Sequence, residues 1–359
     1  MKQTKIIAFY LPQYYETPEN NRWWGDGFTE WTNVKKARPL FAGHIQPKVP
    51  LDENYYCLLD EDIPVWQANL AKRYGIYGFC YYHYWFNGKK MLEQPLENML
   101  KNPAVRIPFC ISWANESWTR TWTGKASDVL LPQSYGGPED WAAHIEYLLP
   151  FFRDPRYIKK DGKPVLLLYR AAEIPGCDEM VRQWEICLKR NGFAGLYLIE
   201  TLSGNQPRPR LRFASAQAEM EPMLAVKKSM PFRIRLRKHL IIRWKLWRFG
   251  ILDLVDYERI WKSILRRPES GNRNRYRGAF CDWDNSPRRQ KKGMIVRGAT
   301  PAAFERFLTE QLLKSRAEGK EFLFLNAWNE WGEGAYLEPD LHNGFGYLEA
   351  VRRAVKNAG

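Results

Sequence analysis

The feature that most constrains this chain is an alternation. Eight runs read as strands: 5-KIIAFYLP, 76-IYGFCYYHYWF, 107-IPFCISW, 164-PVLLLYR, 195-GLYLIET, 213-FASAQAEM, 278-GAFCDWD and 321-EFLFLNAW. Several are continuously apolar, as parallel strands covered on both faces must be. Helix-length intervals separate them, among them 60-DEDIPVWQANLAKRYG, 139-EDWAAHIEYLLPFF, 178-DEMVRQWEICLKRNG and 302-AAFERFLTEQLLKSRAEG, and Gly75, Gly192 and Gly319 stand where helices stop. Eight strand-then-helix units predict an α/β fold, a (β/α)8 TIM barrel, as a single domain over residues 1–359. A doubly wound sheet competes less well. The first strand runs into LPQYYETPEN rather than a glycine-rich phosphate turn, and neither GxGxxG nor GxxxxGK[ST] occurs. The sixth run is the least apolar of the eight.

Charge is concentrated in one region. The net charge is +15, yet 24 Lys and Arg against 8 Asp and Glu lie between Gly204 and Thr300, so the rest of the chain is close to neutral. The interval 222–277 is too long for one helix and reads as a basic insertion after strand six. It holds 231-PFRIRLRKHLIIRWKLWRFG-250, with seven Arg or Lys and no acid. Basic side chains gain about 1 kcal/mol each near anionic lipid. With Phe232, Leu240, Trp244, Trp247 and Phe249 beside them, residues 231–249 suggest an anionic membrane surface as partner. On a helical wheel the two residue types interleave without a clean polar face, so a solvated surface is the plainer alternative. Nucleic acid is not expected, since no RRM, KH or helix-turn-helix pattern accompanies the charge. Six scattered cysteines without a CxxC pair suggest buried thiols in a reducing compartment. No signal peptide and no membrane-length apolar run are seen. The expected location is cytoplasmic, with peripheral contact to the inner face of the membrane.

In a barrel of this kind, functional side chains gather where the strands end. Here those positions carry Tyr10, Gln13 and Tyr14; His83 and Trp85; Trp113, Asn115, Glu116 and Trp118; Glu219 and Glu221; Asp282, Asp284 and Asn285; and Trp328, Asn329, Glu330 and Glu333. A core needs none of these polar groups, so they predict one polar pocket walled by aromatic rings. Sixteen tryptophans lean toward carbohydrate or toward a Trp-rich core. Trp23, Trp24 and Trp31 lie in a polar loop, where they line a cleft or cap the barrel. His83 among tyrosines reads equally as a substrate contact or a hydrogen-bonded structural residue. Asp282-Trp283-Asp284 is a DxD, more readily read as carboxylates on sugar hydroxyls than as cation ligands. No His, Asp or Glu spacing suggests a metal site, and no cofactor is expected.

The stretch 325-LNAWNEWGEGAYLEP-339 is the most specific. Glu330 and Glu333, three residues apart, can share one side of a turn at roughly 5–6 Å between Cβ atoms. That range suits acid/base work at a glycosidic bond, and close like charges would leave one acid and one base. Gly332 and Gly334 permit tight turns beside them.

WNEWGEG resembles the NEWxEG motif of the glycoside hydrolase family 99 endo-α-mannosidases. The long opening from Ala8 to Pro50, GFCYYHYWF and ISWANESWTRTW resemble the WbsX-type polysaccharide-biosynthesis proteins, related to that family. The resemblance implies a (β/α)8 barrel acting on glycans. From the hydrolases it implies Glu330 as base on a sugar 2-hydroxyl and Glu333 as acid and then base. From the WbsX-type group it implies a glycosyltransferase of O-antigen, capsule or lipopolysaccharide assembly. Its partners would be a glycan or lipid-linked oligosaccharide and a nucleotide sugar. The alternatives are an endo-acting, family 99-like hydrolase of α-mannosides using the same pair, and a non-catalytic glycan-binding or scaffold protein.

Overall fold

The computed structural model describes residues 3–120, 128–269 and 274–359. All eight expected runs are strands: β1 (Lys5–Tyr10), β2 (Gly78–Phe86), β3 (Phe109–Trp113), β4 (Lys163–Leu168), β5 (Tyr197–Leu202), β6 (Ala216–Glu219), β7 (Arg275–Phe280) and β8 (Phe322–Asn326). Each pairs in parallel with its sequence neighbour, and β1 pairs with both β2 and β8, so the sheet closes into a barrel. The register at the closure sets Lys5 against Phe322 and Ile7 against Gly78. β2 is buried along its whole length, which explains why GFCYYHYWF carries no alternation. β6, the least apolar run, is also short, with only Gln217 and Ala218 in register with β7.

The outer helices follow the sequence closely. Before them come α1 (Pro18–Trp24) and α2 (Glu30–Lys36), both in the long β1 loop. Then come α3 (Asp62–Arg73), α4 (Gln94–Lys101), α5 (Pro138–Arg153) and α6 (Cys177–Arg190). Asp62 stands in the first turn of α3, where its negative charge is favourable at the positive end of the helix dipole. Gly75, Gly192 and Gly319 all lie at positive φ just past helix ends. The strict repeat breaks once: β5 and β6 are joined by the loop 203–215 with no helix.

The interval 222–277 differs from a simple insertion. It begins with an irregular turn and the exposed helix α7 (Phe232–Arg243), then a short strand, Asp253–Asp256, that pairs with Met294–Arg297. Next comes α8 (Tyr257–Leu265), which is the barrel's own helix for this unit. Its Tyr257, Ile260, Trp261 and Ile264 are buried, and Trp261 stacks on Phe280 and Phe307 at 5.4 and 5.5 Å. The added segment therefore ends before Tyr257, and residues 270–273 of the expected span lie outside the described residues. The last elements are α9 (Ser286–Arg289), α10 (Pro301–Ala317) and α11 (Gly346–Ala358). All six cysteines are free.

Candidate active site at the barrel mouth

Beyond β8 the chain folds into a miniature hairpin. Asn329–Glu330 pairs antiparallel with Ala335–Tyr336 around the one-turn helix Trp331–Glu333. Gly334 closes the turn at φ 64°. Gly332 is needed for another reason: a Cβ there would overlap the carboxylate of Glu30 and fall 2.8 Å from Arg288 Nε. The hairpin is locked from below. Asn329 exchanges hydrogen bonds with both backbone groups of Leu11, at 2.8 and 3.0 Å, and Tyr14 donates to the carbonyl of Asn329. Trp331 stacks on Tyr336 at 3.7 Å and donates to Glu338 at 2.7 Å.

Arg288, presented by α9, is the hub of the site. Its guanidinium lies 3.0 Å from Glu330, 3.0 Å from Glu333 and 2.8 Å from Glu30, the fully buried first residue of α2. One cation facing three carboxylates leaves the cluster short of positive charge. Burial pushes the Glu330 carboxyl up to about 8, with Glu333 and Glu30 adding to the rise and Arg288 opposing it. Glu333 is raised too, first by burial and then by Glu30 and Glu116. Glu330 is the deeper of the two, its side chain 8% exposed against 25% for Glu333.

A cavity of about 640 Å³ opens over the pair. Its aromatic walls are Trp23, Trp24, Trp118, Trp283, Tyr82, Tyr84 and Tyr169. Of the residues singled out from sequence, Gln13, Trp23, Trp24, Glu116, Trp118, Glu221, Asn285, Glu330 and Glu333 line it together. Glu116 is ion-paired to Arg170, and Asn285 accepts a hydrogen bond from the Met294 amide at 2.9 Å.

The remaining candidates are elsewhere. Tyr10 donates to Gln67 at 2.6 Å, and Gln67 in turn donates to Glu338, forming a buried support under the hairpin. Trp31 is buried and donates to the Tyr56 carbonyl. Trp328 packs on Phe79, with ring centroids 5.1 Å apart. His83 faces His144 of α5 at 2.9 Å, and burial pushes its imidazole down to about 3, so the pair is neutral. Trp85 stacks on His144 and Trp113 meets it edge-on, each at 4.6 Å. This group joins strand to helix rather than facing the cavity. Asn115 is a brace: it accepts from the Arg170 amide at 2.8 Å and donates to the Arg170 carbonyl at 2.9 Å.

Asp282 and Asp284 line a separate cavity, so the expectation of a single pocket is corrected. Lys48 sits 2.7 Å from Asp282, while His44 and Gln46 reach Asp284 at 2.7 and 2.6 Å. Burial works against the charged form of Asp284, but the His44 bond and the Lys48 charge hold its carboxyl below the usual range. Both carboxylates are thus spoken for by protein donors. Among the described residues, no group of three or more His, Cys, Asp or Glu is placed to hold a metal ion.

Glu30 and Arg288 are the functional residues that sequence reading missed. Glu30 stands next to the Trp31 that drew notice, and Arg288 lies in 286-SPRRQKK-292, where it reads as one more charge of the basic region. Each is 42 or more residues from its partners in the cluster, and only the closed barrel brings them together.

The family profile described as "Glycosyltransferase WbsX" matches residues 6–351. The protein WxcX of Xanthomonas campestris pv. campestris is 36% identical over 356 residues, covering 98% of this chain and 50% of WxcX. The chain therefore spans about half the length of the curated relatives it matches. Among solved structures, it is similar to a GH99 endo-alpha-mannosidase from Bacteroides thetaiotaomicron in complex with bis-tris-propane. The TM-score is 0.59 at 13% identity, covering 100% of this chain and 98% of that one. A glycoside hydrolase-like protein gives 0.59 at 11% identity, covering 99% and 94%. At these identities the likeness shows the fold, a (β/α)8 barrel.

Proposed function

The chain belongs to the WbsX glycosyltransferase family, and from that premise we propose that it is a glycan-active enzyme, a glycosyltransferase of cell-surface polysaccharide assembly. The observation that carries this reading is the placement of Glu330 and Glu333 together in one aromatic-walled cavity at the carboxyl ends of the strands. Tryptophan and tyrosine faces suit the C–H faces of sugars, while Gln13, Asn285 and Glu116 offer polar contacts to hydroxyls. Glu330, deep and raised to about 8, holds a proton at neutral pH and donates it to the departing oxygen. Glu333, the more exposed, takes the proton of the incoming hydroxyl. This division differs from the one implied by the resemblance to the hydrolases, and it follows from which carboxyl is the more buried.

The acceptor in this reading is a glycan or lipid-linked oligosaccharide, the donor a nucleotide sugar, and the place the cytoplasmic face of the membrane. O-antigen, capsule and lipopolysaccharide are the polymers concerned. No helix among the described residues is long and apolar enough to cross a membrane. The exposed, basic α7 supports peripheral contact, with Phe232 and Trp244 at its ends 67% and 66% exposed. Hydrolysis of an α-mannoside is the second reading. It is favoured by the same acid and base pair, since a carboxylate that takes the proton of a sugar hydroxyl serves an attacking water as well.

The test incubates purified protein with a panel of nucleotide sugars and undecaprenyl-linked acceptors, and in parallel with α-mannan oligosaccharides. Acceptor-dependent nucleotide release is expected. Reducing ends formed without a donor would replace transfer by hydrolysis. A scaffold role would be left standing only if Glu330→Gln preserved polymer formation in cells.

A further inference from the structure

A smaller cavity of about 390 Å³ adjoins the site, between the loops that follow β4 and β5. It shares Arg170, Glu173 and Asn205 with the cavity of the glutamate pair, so the two have a common wall. Its other polar lining includes Gln206, Arg208 and Arg210.

The loop that carries these arginines is held by a buried carboxylate. Glu200, at 0% exposure in β5, accepts from Gln206 Nε2 at 2.7 Å, from the Arg210 amide at 2.7 Å and from the Leu211 amide at 3.2 Å. Gln206 Oε1 then accepts from the Ala172 amide at 3.0 Å, tying the two loops together. These bonds to backbone and amide donors fix the loop that carries the arginines. The Arg208 and Arg210 side chains are exposed, and among the described residues neither pairs with a carboxylate. Arg170 pairs with Glu116 and with Glu173, yet its Nε is buried and meets no acceptor. Lys227 adds a further cation at the rim, 2.5 Å from Asn205 Oδ1. Burial lowers that ammonium, and Lys238 and Arg170 lower it further, which marks a place where positive charge is crowded.

We propose that this arginine-lined cavity binds the diphosphate of an activated substrate, holding it beside the glutamate pair. The proposal rests on the reading of the chain as a transferase and names the group that the transferase recognises. Guanidinium forks match the paired oxygens of phosphate groups, and a multiply charged anion answers a surplus of cations better than a single carboxylate does. The position fits the chemistry. In transfer from a sugar diphosphate, the bond from C1 to the diphosphate oxygen breaks and its electron pair stays on that oxygen. The acceptor oxygen bonds to C1 and gives its proton to Glu333. Arginine charge at the common wall stabilises the departing diphosphate, and the Glu330 hydroxyl donates to its bridging oxygen. The diphosphate group itself is common to a nucleoside-diphosphate sugar, from which it departs in the transfer, and to a polyprenyl diphosphate carrying the acceptor, where it stays attached and only anchors.

The test is a titration of the full chain, followed by tryptophan fluorescence and calorimetry. The probes are UDP, GDP, inorganic pyrophosphate and farnesyl diphosphate, with UMP and uridine as controls. Wild type should bind at least one diphosphate, and bind it tenfold or more tightly than the monophosphate. The double variant Arg208→Glu, Arg210→Glu, changed only at exposed side chains, should lose that affinity at least tenfold. Preference for UDP or GDP identifies the donor as the source, and preference for farnesyl diphosphate identifies the lipid-linked acceptor. No diphosphate binding by wild type, equal binding of monophosphate, or unchanged affinity in the double variant would overturn the proposal. Turnover accompanied by unchanged affinity in that variant sinks this inference and leaves the transferase standing. Arginine-dependent binding without any turnover does the reverse.

Discussion

At the scale of residues, the site is a problem in distributing protons. Three carboxylates converge on Arg288, so one proton must remain in the cluster for its charges to balance more nearly. That proton belongs to Glu330, whose carboxyl rises from an ordinary 4.5 to about 8 through burial first and repulsion second. Because the folded value is the higher one, the folded chain binds more protons than the unfolded chain between those two pH values. Its contribution to stability is full below about pH 4.5 and is lost as pH climbs through 8. We expect the melting temperature of wild type to fall over that window, and Glu330→Gln, a neutral mimic of the protonated acid, to flatten the slope; a slope unchanged in the variant would count against the assignment. In the proposed mechanism the same substitution removes the proton donor. Turnover by Glu330→Gln or by Glu333→Gln should therefore drop by ~10²–10⁴ with the circular dichroism unchanged, and wild-type turnover should decline above about pH 8 as Glu330 ionises. Gly332 is the most exacting neighbour of the pair. Gly332→Ala puts a methyl group where the Glu30 carboxylate lies, so denaturant titration should show a loss of ~1–3 kcal/mol, and activity should fall with it.

At the scale of elements, the barrel strands were legible and the site only half so, for one physical reason. A parallel strand covered on both faces must be apolar throughout, so β2, β4 and β8 declare themselves locally. The hairpin after β8 is local as well, and NEWGEG carries its own turn residues. The Arg288 cluster is not local: α2, α9 and the hairpin come from distant parts of the chain, and nothing in SPRRQKK marks which arginine turns inward. Tyr82 and Tyr84 do wall the cavity, but His83 and Trp85 beside them misled, because strand ends and strand–helix seams use the same side chains. Trp85 and Trp113 close around His144 of α5 rather than over a sugar. The DxD misled similarly, since the loops after β1 and β7 meet at a separate cavity, where Lys48, His44 and Gln46 engage both acids. Helix α9 makes the cost of the hidden cluster measurable. Arg288→Met would strand three carboxylates with their shared cation gone, and we expect ~3–5 kcal/mol of destabilisation at neutral pH. Lowering the pH should restore part of that loss by protonating the acids. Equal destabilisation at pH 5 and pH 8 would mean that packing, not charge, is what Arg288 supplies.

At the scale of the whole molecule, the uneven charge and the position of the mouth belong to one argument. The cavity wall includes Met223, only a few residues before the segment that leads into α7, so the basic helix and the site share a side of the barrel. That helix turns Phe232, Leu236, Leu240 and the adjoining Trp244 and Phe249 to solvent, while Lys238 is drawn inward to Asp253 at 2.6 Å. Interleaved arginines and large apolar side chains are poorly solvated together in water and better matched to an interface with anionic headgroups. On the membrane contact proposed above, a barrel held this way would present its mouth along the membrane, with the sugar of a lipid-linked acceptor within reach and the near-neutral remainder facing away. The expected behaviour is co-sedimentation with vesicles containing anionic phospholipid, weakened by salt as the Debye length shortens, and absent with zwitterionic vesicles. Arg233→Glu, Arg237→Glu and Arg243→Glu combined should abolish that binding. The variant should lose turnover on an acceptor embedded in vesicles and keep it on a short-chain soluble acceptor, since none of the three residues lines the cavity. Equal loss on both acceptors would mean that α7 supports the site itself, and binding of the triple variant to anionic vesicles at the wild-type level would remove the membrane from the account altogether.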